Sequence, residues 1–468
     1  MYFKLVNHRN SHGVESMLQI FYPLARHLEA VEGEKYPELL ESGVEGTEAY
    51  AKLYQGGRLI ATQTSKIDET NPYSQRPQKL IDREIKYTVY QLLSLHTGQS
   101  SPWGLLTGIR PVKLVRETRA LNSEVKTHEF LTQVACVSEK KAQTALQIYR
   151  NQTEILSQNR AGDFNLYIGI PFCPTKCVYC SFAAYAMNGE KCRRYVEALL
   201  HEMTIVADKM KGRGINSVYF GGGTPTSLAP EDLERVLSNL TKYFDLSNIR
   251  EFTVEAGRPD TINGEKLAIL KKYQVTRISI NPQTTKQATL DTIGRHHTVE
   301  DFYAAFALSR SMGFDNINTD VILGLTGETP EDVEKTMSDL VKLSPENITV
   351  HTLAIKRASR LKEVLEEHQL AQARDIEKMQ EIVERYMADG YEPYYLYRNK
   401  NTLGNVENIG YGKAGFFSQY NIQMMEDTQD IVALGCASVS KYLDGTKITR
   451  KSHPRDVDEY IRRIHGNY

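Results

Sequence analysis

The chain has 468 residues, 41% of them hydrophobic, and balances 57 Lys and Arg against 58 Asp and Glu for a net charge of −1. That length supports one large domain and one or two smaller ones, each with its own core. The near-neutral charge gives no general pull toward nucleic acid or anionic lipid, no run is long and apolar enough to span a membrane, and the first residues lack signal-peptide order, so a cytoplasmic protein is expected.

In chain order, residues 1–80 hold short strand candidates at 1–6 and 50–53, and residues 78–158 read as several helices. Together they predict an N-terminal α+β domain over 1–160. Its one distinctive stretch, residues 101–116, contains the single Trp103 and the cations Arg110, Lys113 and Arg116. A loop anchored by a buried tryptophan and followed by a helix with solvated basic residues accounts for it better than a site for an acidic ligand.

From about 163 to 356 strand and helix alternate with little wasted chain. Strands are expected at 166–172, 217–220, 251–255, 277–281, 316–323 and 347–354, with helices at 190–210, 230–243, 298–311 and 330–343. Such alternation predicts an α/β fold: a partial (β/α)6 TIM-type barrel over 161–360. These strands are not continuously apolar, as strands buried on both faces would be. Phe252 and Val254 oppose Thr253 and Glu255; Ile278 and Ile280 oppose Ser279, Asn281 and Gln283; Ile317, Thr319 and Val321 oppose Asn318 and Asp320. With helices on the apolar side, the polar set is expected to line the interior near the strands' C-terminal ends. Residues 361–468 predict a smaller C-terminal α/β extension covering the barrel. From 357 onward a charged helix is expected to about 390, followed by the Tyr-rich stretch 391–397, a Gly-rich loop at 410–415 and an apolar run at 430–435.

The strongest local signal is Cys173-Pro-Thr-Lys-Cys177-Val-Tyr-Cys180, three of six cysteines on one loop after the first barrel strand. Structural zinc wants four ligands, so it would have to borrow a distant Cys192 or His201. A disulfide would leave an odd thiol. Three thiolates suit three irons of a 4Fe-4S cluster and leave the fourth iron open to a ligand. The second strand ends in Phe220-Gly-Gly-Gly-Thr-Pro-Thr226, where missing side chains let backbone N–H groups approach a ligand. It lacks the Lys-Ser/Thr ending of a phosphate loop. A small zwitterion such as S-adenosylmethionine, bound to the open iron, would need such a cradle beside the cluster.

On these motifs the chain resembles the radical S-adenosylmethionine enzymes and, within them, the oxygen-independent coproporphyrinogen III oxidase group. The likeness is close over about 163–360. The resemblance implies that Cys173, Cys177 and Cys180 hold the cluster and that Tyr167 and Tyr179 contact S-adenosylmethionine. Gly222, Gly223 and Thr224 match the glycine motif that meets its methionine part. Glu255, Gln283, Arg295, Asp320 and Ala354 fall on the remaining cofactor positions, and the group is thought to place two S-adenosylmethionine molecules in one barrel. It further implies decarboxylation of porphyrinogen propionates to vinyl groups in haem biosynthesis, with an electron donor such as flavodoxin or ferredoxin. Arg258 and Arg398 are candidate partners for the substrate's carboxylates.

Two positions depart from the oxidase pattern. Phe182 stands where a further cysteine is expected, and Gly169 replaces a histidine. The haem-binding chaperones of the group also lack that cysteine, so haem delivery is an alternative, with His296, His297, His351 and Cys436 as candidate iron ligands. A radical methyltransferase using two S-adenosylmethionine molecules is a third reading.

Overall fold

The computed structural model describes residues 1–23, 25–67, 77–354, 373–399, 402, 406–445 and 447–466. They form two compact units, Met1–Leu146 and Gln147–Tyr468.

In the first unit five strands order as Leu28–Glu29, Tyr2–Val6, Glu38–Glu45, Glu48–Gln55 and Arg58–Lys66. Phe3, Leu40 and Leu53 of this sheet pack with Val14, Met17 and Leu18 of the helix Ser11–Phe21, and with Ile85, Val89 and Leu93 of Pro77–Thr97. Trp103 is fully buried, as the anchored-loop reading requires, and the helix Pro111–Arg119 follows it.

The second unit is built on a sheet of 11 strands among the described residues. At its centre Phe164–Ile170, Ile215–Gly222, Glu251–Glu255, Arg277–Ser279, Ile317–Leu323 and Asn347–Thr352 lie side by side in chain order, all parallel. This is the expected α/β architecture, a partial barrel that stays open among the described residues. The helices Gly189–Lys209, Pro230–Tyr243, Val299–Ser311 and Pro330–Leu343 fall within a residue of the positions expected for them. Thr298 and Thr329 open the last two with capping boxes, each completed by an aspartate three residues on, which satisfies two otherwise orphaned donors. Residues 357–372 of the expected charged helix lie outside the described residues; the described helix is Ala373–Met387.

Alternation decides the two faces. Val218, Phe220, Phe252, Val254, Ile278 and Ile317 are fully buried, as are Leu199, Leu237, Leu270 and Leu340 of the covering helices. Each such side chain contributes roughly 1.5–3 kcal/mol. The opposite face is polar and hydrogen-bonded across strands. Tyr219 Oη donates to Glu255 at 2.5 Å, Asn318 Nδ2 to Ser279 at 3.1 Å, and Thr349 Oγ1 to Asn318 at 2.9 Å.

Described strands between 392 and 452 continue the same sheet. Glu407–Gly412 pairs antiparallel with Asn347–Thr352, Glu392–Arg398 lies outside it, and Asp430–Leu434 runs parallel to Phe164–Ile170 at the other side. The segment 413–426 closes the end where the parallel strands begin. Arg277 Nη1 and Asn347 Nδ2 donate to Phe416 O at 3.0 and 2.9 Å. Buried Glu251 accepts from Ser418 Oγ, Gln419 N and Tyr420 N at 3.0, 2.9 and 3.3 Å, capping the helix Gln419–Glu426. In the variant Glu251→Ala those donors lose their acceptor inside the protein. A loss of about 2–3 kcal/mol is expected in urea unfolding followed by far-UV circular dichroism.

Candidate functional site

The cysteine loop leaves the first parallel strand and is clamped from both sides. On one side the glycine turn is stapled to the strand end that leads into Cys173. Gly223 N–H donates to Ile170 O and Thr224 N–H to Phe172 O, both at 2.7 Å, while Thr224 Oγ1 lies 3.4 Å from Cys173 Sγ. A Cβ on Gly223 would sit 2.5 Å from Phe172 O, and Gly222 has φ +109°. Neither position tolerates a side chain.

On the other side Val178 N–H donates to Ile293 O at 3.0 Å and Thr175 Oγ1 to Gly294 O at 3.1 Å. Arg258 donates to Thr175 Oγ1 at 3.0 Å and pairs through two nitrogens with Asp260 at 3.0 and 2.9 Å. Arg258 is therefore committed to holding the loop. Val178 and Tyr179 pack on Leu290, Ile293, Ile322, Leu325 and Leu353, an apolar bed that seats this part of the loop. Burial drives the Tyr179 hydroxyl well above its ordinary range, partly offset by the Arg295 charge. Arg295 donates through Nη1 to Asn281 O and through Nη2 to Gly257 O, the latter at 2.9 Å, and its charge faces Tyr179 and Cys177.

Deeper in the partial barrel Tyr167, Tyr219 and Tyr420 form a stack, with centroids 6.2 Å apart for Tyr167–Tyr219 and 4.4 Å for Tyr219–Tyr420. Above it, burial, reinforced by the nearby Asp320, pushes the Glu255 carboxyl up to about 7 against the hydrogen bonds from Tyr219 and Gly222 N–H. Gln283 is a buried residue at φ +68°, with its backbone tied to Asp320 O at 3.0 Å and Ile322 N at 3.1 Å. A left-handed non-glycine costs about 1–3 kcal/mol and collects where function demands it. Its Oε1 and the Oδ1 of Asn281 are buried without a protein partner, as is Arg295 Nε. These atoms aim polar capacity at something other than protein.

The fold thus gathers Cys173, Cys177, Cys180, Tyr179 and Arg295 in one group, with Gly222, Gly223 and Thr224 beside Cys173. Glu255, Tyr167, Gln283 and Asp320 lie on the polar face below. Ala354, two residues past the sixth parallel strand, forms a bridge to Thr402. The sequence marks His351 only as a candidate haem ligand and does not mark Tyr219, Tyr420 or Tyr397 as site residues. Alternation would have found Tyr219, which is two residues from Ser217 and from Gly221; nothing local marks Tyr420.

The donor set fits an iron–sulfur cube. The three thiols lie close together: burial, with the Cys180 and Cys177 charges adding to it and the Thr224 hydrogen bond opposing it, lifts the Cys173 thiol to about 11. Among the described residues, no three His, Cys, Asp or Glu side chains gather as ligands of a single ion; a cube takes one thiolate per iron.

The sequence pattern of the Radical SAM superfamily matches residues 167–340. The chain is 40% identical over 419 residues to the oxygen-independent coproporphyrinogen-III oxidase-like protein HemZ of Bacillus subtilis, covering 87% of this chain and 84% of that protein. It belongs to the radical SAM superfamily, in the HemZ-like group. Its cofactors are those of the superfamily, a 4Fe-4S cluster and S-adenosylmethionine. The heme chaperone HemW of Bacillus subtilis is 30% identical over 285 residues, 60% of this chain and 71% of HemW. Among solved structures, coproporphyrinogen III oxidase HemN of Escherichia coli superposes with a TM-score of 0.54 at 19% identity, covering 68% of this chain and 72% of that one. That likeness shows the shared fold.

The two departures have different surroundings. A Cβ on Gly169 would lie 3.2 Å from Cys436 O, so this packing leaves little room for a histidine. Phe182 is 66% exposed, so its side chain is not packed into the core. Of the candidate haem ligands, His296 is exposed, and the Cys436 thiol donates to Pro454 O and Arg455 O at 3.3 Å each. His297 is buried, and burial together with the Arg295 charge takes its imidazole down to about 4.

Two outcomes test this geometry. Gly223→Ala is expected to keep its iron yet bind S-adenosylmethionine at least tenfold more weakly by equilibrium dialysis, because the turn must retreat from Phe172. Glu255 holds its proton to about pH 7 when folded, whereas an unfolded glutamate releases it near 4.3. Stability of the cofactor-free chain therefore falls as pH rises through that window. Glu255→Gln should match wild type near pH 5 and exceed it by roughly 2 kcal/mol near pH 8 in urea titrations.

Proposed function

We propose that this chain carries out oxygen-independent oxidative decarboxylation of two coproporphyrinogen III propionates to vinyl groups, giving protoporphyrinogen IX in the cytoplasm. The reading is carried by one observation: the kinship with HemZ spans most of the chain, well beyond the segment that matches the superfamily pattern. The polar inner face supports it, since a packed apolar core would leave no room for two polar cofactor molecules and a tetracarboxylate.

When bound, the cluster and S-adenosylmethionine supply a one-electron bond cleavage that yields a hydrogen-abstracting carbon radical. Cys173, Cys177 and Cys180 hold the irons, and Arg258 and the turn 293–295 hold the loop. Gly222, Gly223 and Thr224 leave space for the methionine part. Glu255 and Gln283 offer oxygens to its amine, and Asp320 and Ala354 border the remainder. The apolar bed under Tyr179 keeps water from the thiols. An electron carrier such as flavodoxin or ferredoxin completes the scheme. Arg258 is paired with Asp260 and Thr175; Arg398, at the end of Glu392–Arg398, is the other cation proposed for substrate carboxylates, and burial, opposed by Glu407, brings its guanidinium down to about 10.

Haem delivery is the second reading, favoured by the HemW likeness over 60% of the chain. Anaerobic reconstitution with reductant, S-adenosylmethionine and coproporphyrinogen III separates the two. The expected result is 5′-deoxyadenosine together with porphyrin mass lowered by two carboxyl groups. Unchanged porphyrin with stoichiometric haem binding would favour the chaperone.

A further inference from the structure

His351 connects the cofactor face to a strand added after the partial barrel. Its Nε2 lies 3.7 Å from Asp320 Oδ2, and its Nδ1 lies 3.0 Å from Tyr397 Oη. Tyr397 stands on Glu392–Arg398, which reaches the parallel sheet only through Glu407–Gly412. The contacts therefore run from Asp320 on the fifth parallel strand, through His351 on the sixth, to Tyr397 two strands further on. Asp320 also accepts from Asn318 Nδ2 at 2.8 Å, and Asn318 is fixed in turn by Ser279 and Thr349. Only a quarter or so of either side chain is exposed, 27% for His351 and 21% for Asp320. Tyr395, two residues before Tyr397, donates to Thr349 at 3.3 Å, so the added strand braces the polar face at two points.

An aspartate side chain held by Asn318 alone could swing about its last torsion. An electrostatic contact at 3.7 Å on the other oxygen restrains that freedom, and an imidazole hydrogen-bonded to Tyr397 through Nδ1 is itself held in orientation. We propose that His351 is a positioning residue for S-adenosylmethionine, held by Tyr397 so that its Nε2 keeps the Asp320 carboxylate aimed into the partial barrel. This rests on the reading of Asp320 as a cofactor residue. The electrostatics agree in direction. Burial alone would raise the Asp320 carboxyl, but the electrostatic contact with His351, with Asn318 and Arg295, holds it below the usual range. The other ionisable groups facing this pair are Glu255, Tyr219, Tyr395 and Tyr397.

A double-mutant cycle on the cluster-loaded full chain tests the inference, reading the S-adenosylmethionine Kd by equilibrium dialysis alongside cluster absorbance. His351→Gln is expected to raise Kd about tenfold and Tyr397→Phe about threefold, with the visible spectrum unchanged. Asp320→Asn should weaken binding at least as much as His351→Gln. Neither His351→Gln nor Tyr397→Phe should cost anything more once Asp320 is Asn. Multiplying effects in the combined variants, or wild-type affinity in His351→Gln with weakened Asp320→Asn, would overturn the positioning role and leave the cofactor reading standing. Wild-type affinity in Asp320→Asn would remove that reading of Asp320, and the proposal with it. Should His351→Gln fail to load its cluster, Tyr397→Phe, which loses only a hydroxyl, carries the same cycle.

Discussion

The site depends on how closely two strand ends approach. The turn after the second parallel strand lies against the end of the first, bound by the hydrogen bonds from Gly223 and Thr224 to Ile170 and Phe172. A single methyl group on Gly223 would collide with Phe172 O. This contact sets where Cys173 begins and where the cradle lies relative to it. Backbone hydrogen bonds thus bring the thiols and the glycine turn together, with Thr224 Oγ1 beside Cys173 Sγ.

Around that contact the protein spends stability on polarity. Glu255 and Asp320 are both carboxylates on a largely enclosed face, each raising the cost of the other's charge. Their neighbours answer the cost differently. Asp320 receives Asn318, His351 and the Arg295 charge and stays low, whereas Glu255 has only Tyr219 and the Gly222 N–H and rises to about 7. One face therefore holds a carboxylate that is firmly ionised and another that a cationic ligand would ionise. The strained Gln283 backbone and the unpartnered oxygens of Asn281 and Gln283 lie beside them. Such costs are borne where a ligand later offsets them.

The segments after residue 390 do more than extend the sheet. Tyr395 and Tyr397 brace the polar face from beyond the sixth parallel strand, and residues 413–426 seal the opposite end through Glu251, Arg277 and Asn347. Tyr420 enters with that seal and completes the tyrosine stack. A polar interior open at both ends would admit water along its length, and this seal closes the end away from the cysteine loop among the described residues.

The sequence by itself determined whatever local spacing dictates. Cysteine separation on one loop defines a three-thiolate set, the triple glycine defines a turn without side chains, and period-two alternation assigns Glu255, Ser279, Asn318 and Asp320 to one face because successive residues of a strand must point oppositely. The parallel order of the six strands followed from strand–helix alternation for the same reason. Only the tertiary structure decided the rest. The stretch 391–397 reads as strand-face tyrosines, and nothing within it indicates that Tyr397 meets His351, 46 residues earlier. Arg258 reads equally well as a substrate ligand or a loop clamp until Asp260 and Thr175 appear beside it. Tyr420 stacks on Tyr219, which lies some two hundred residues away in the chain. Such pairings depend on how elements pack across the sheet, and no pattern of neighbouring residues encodes them.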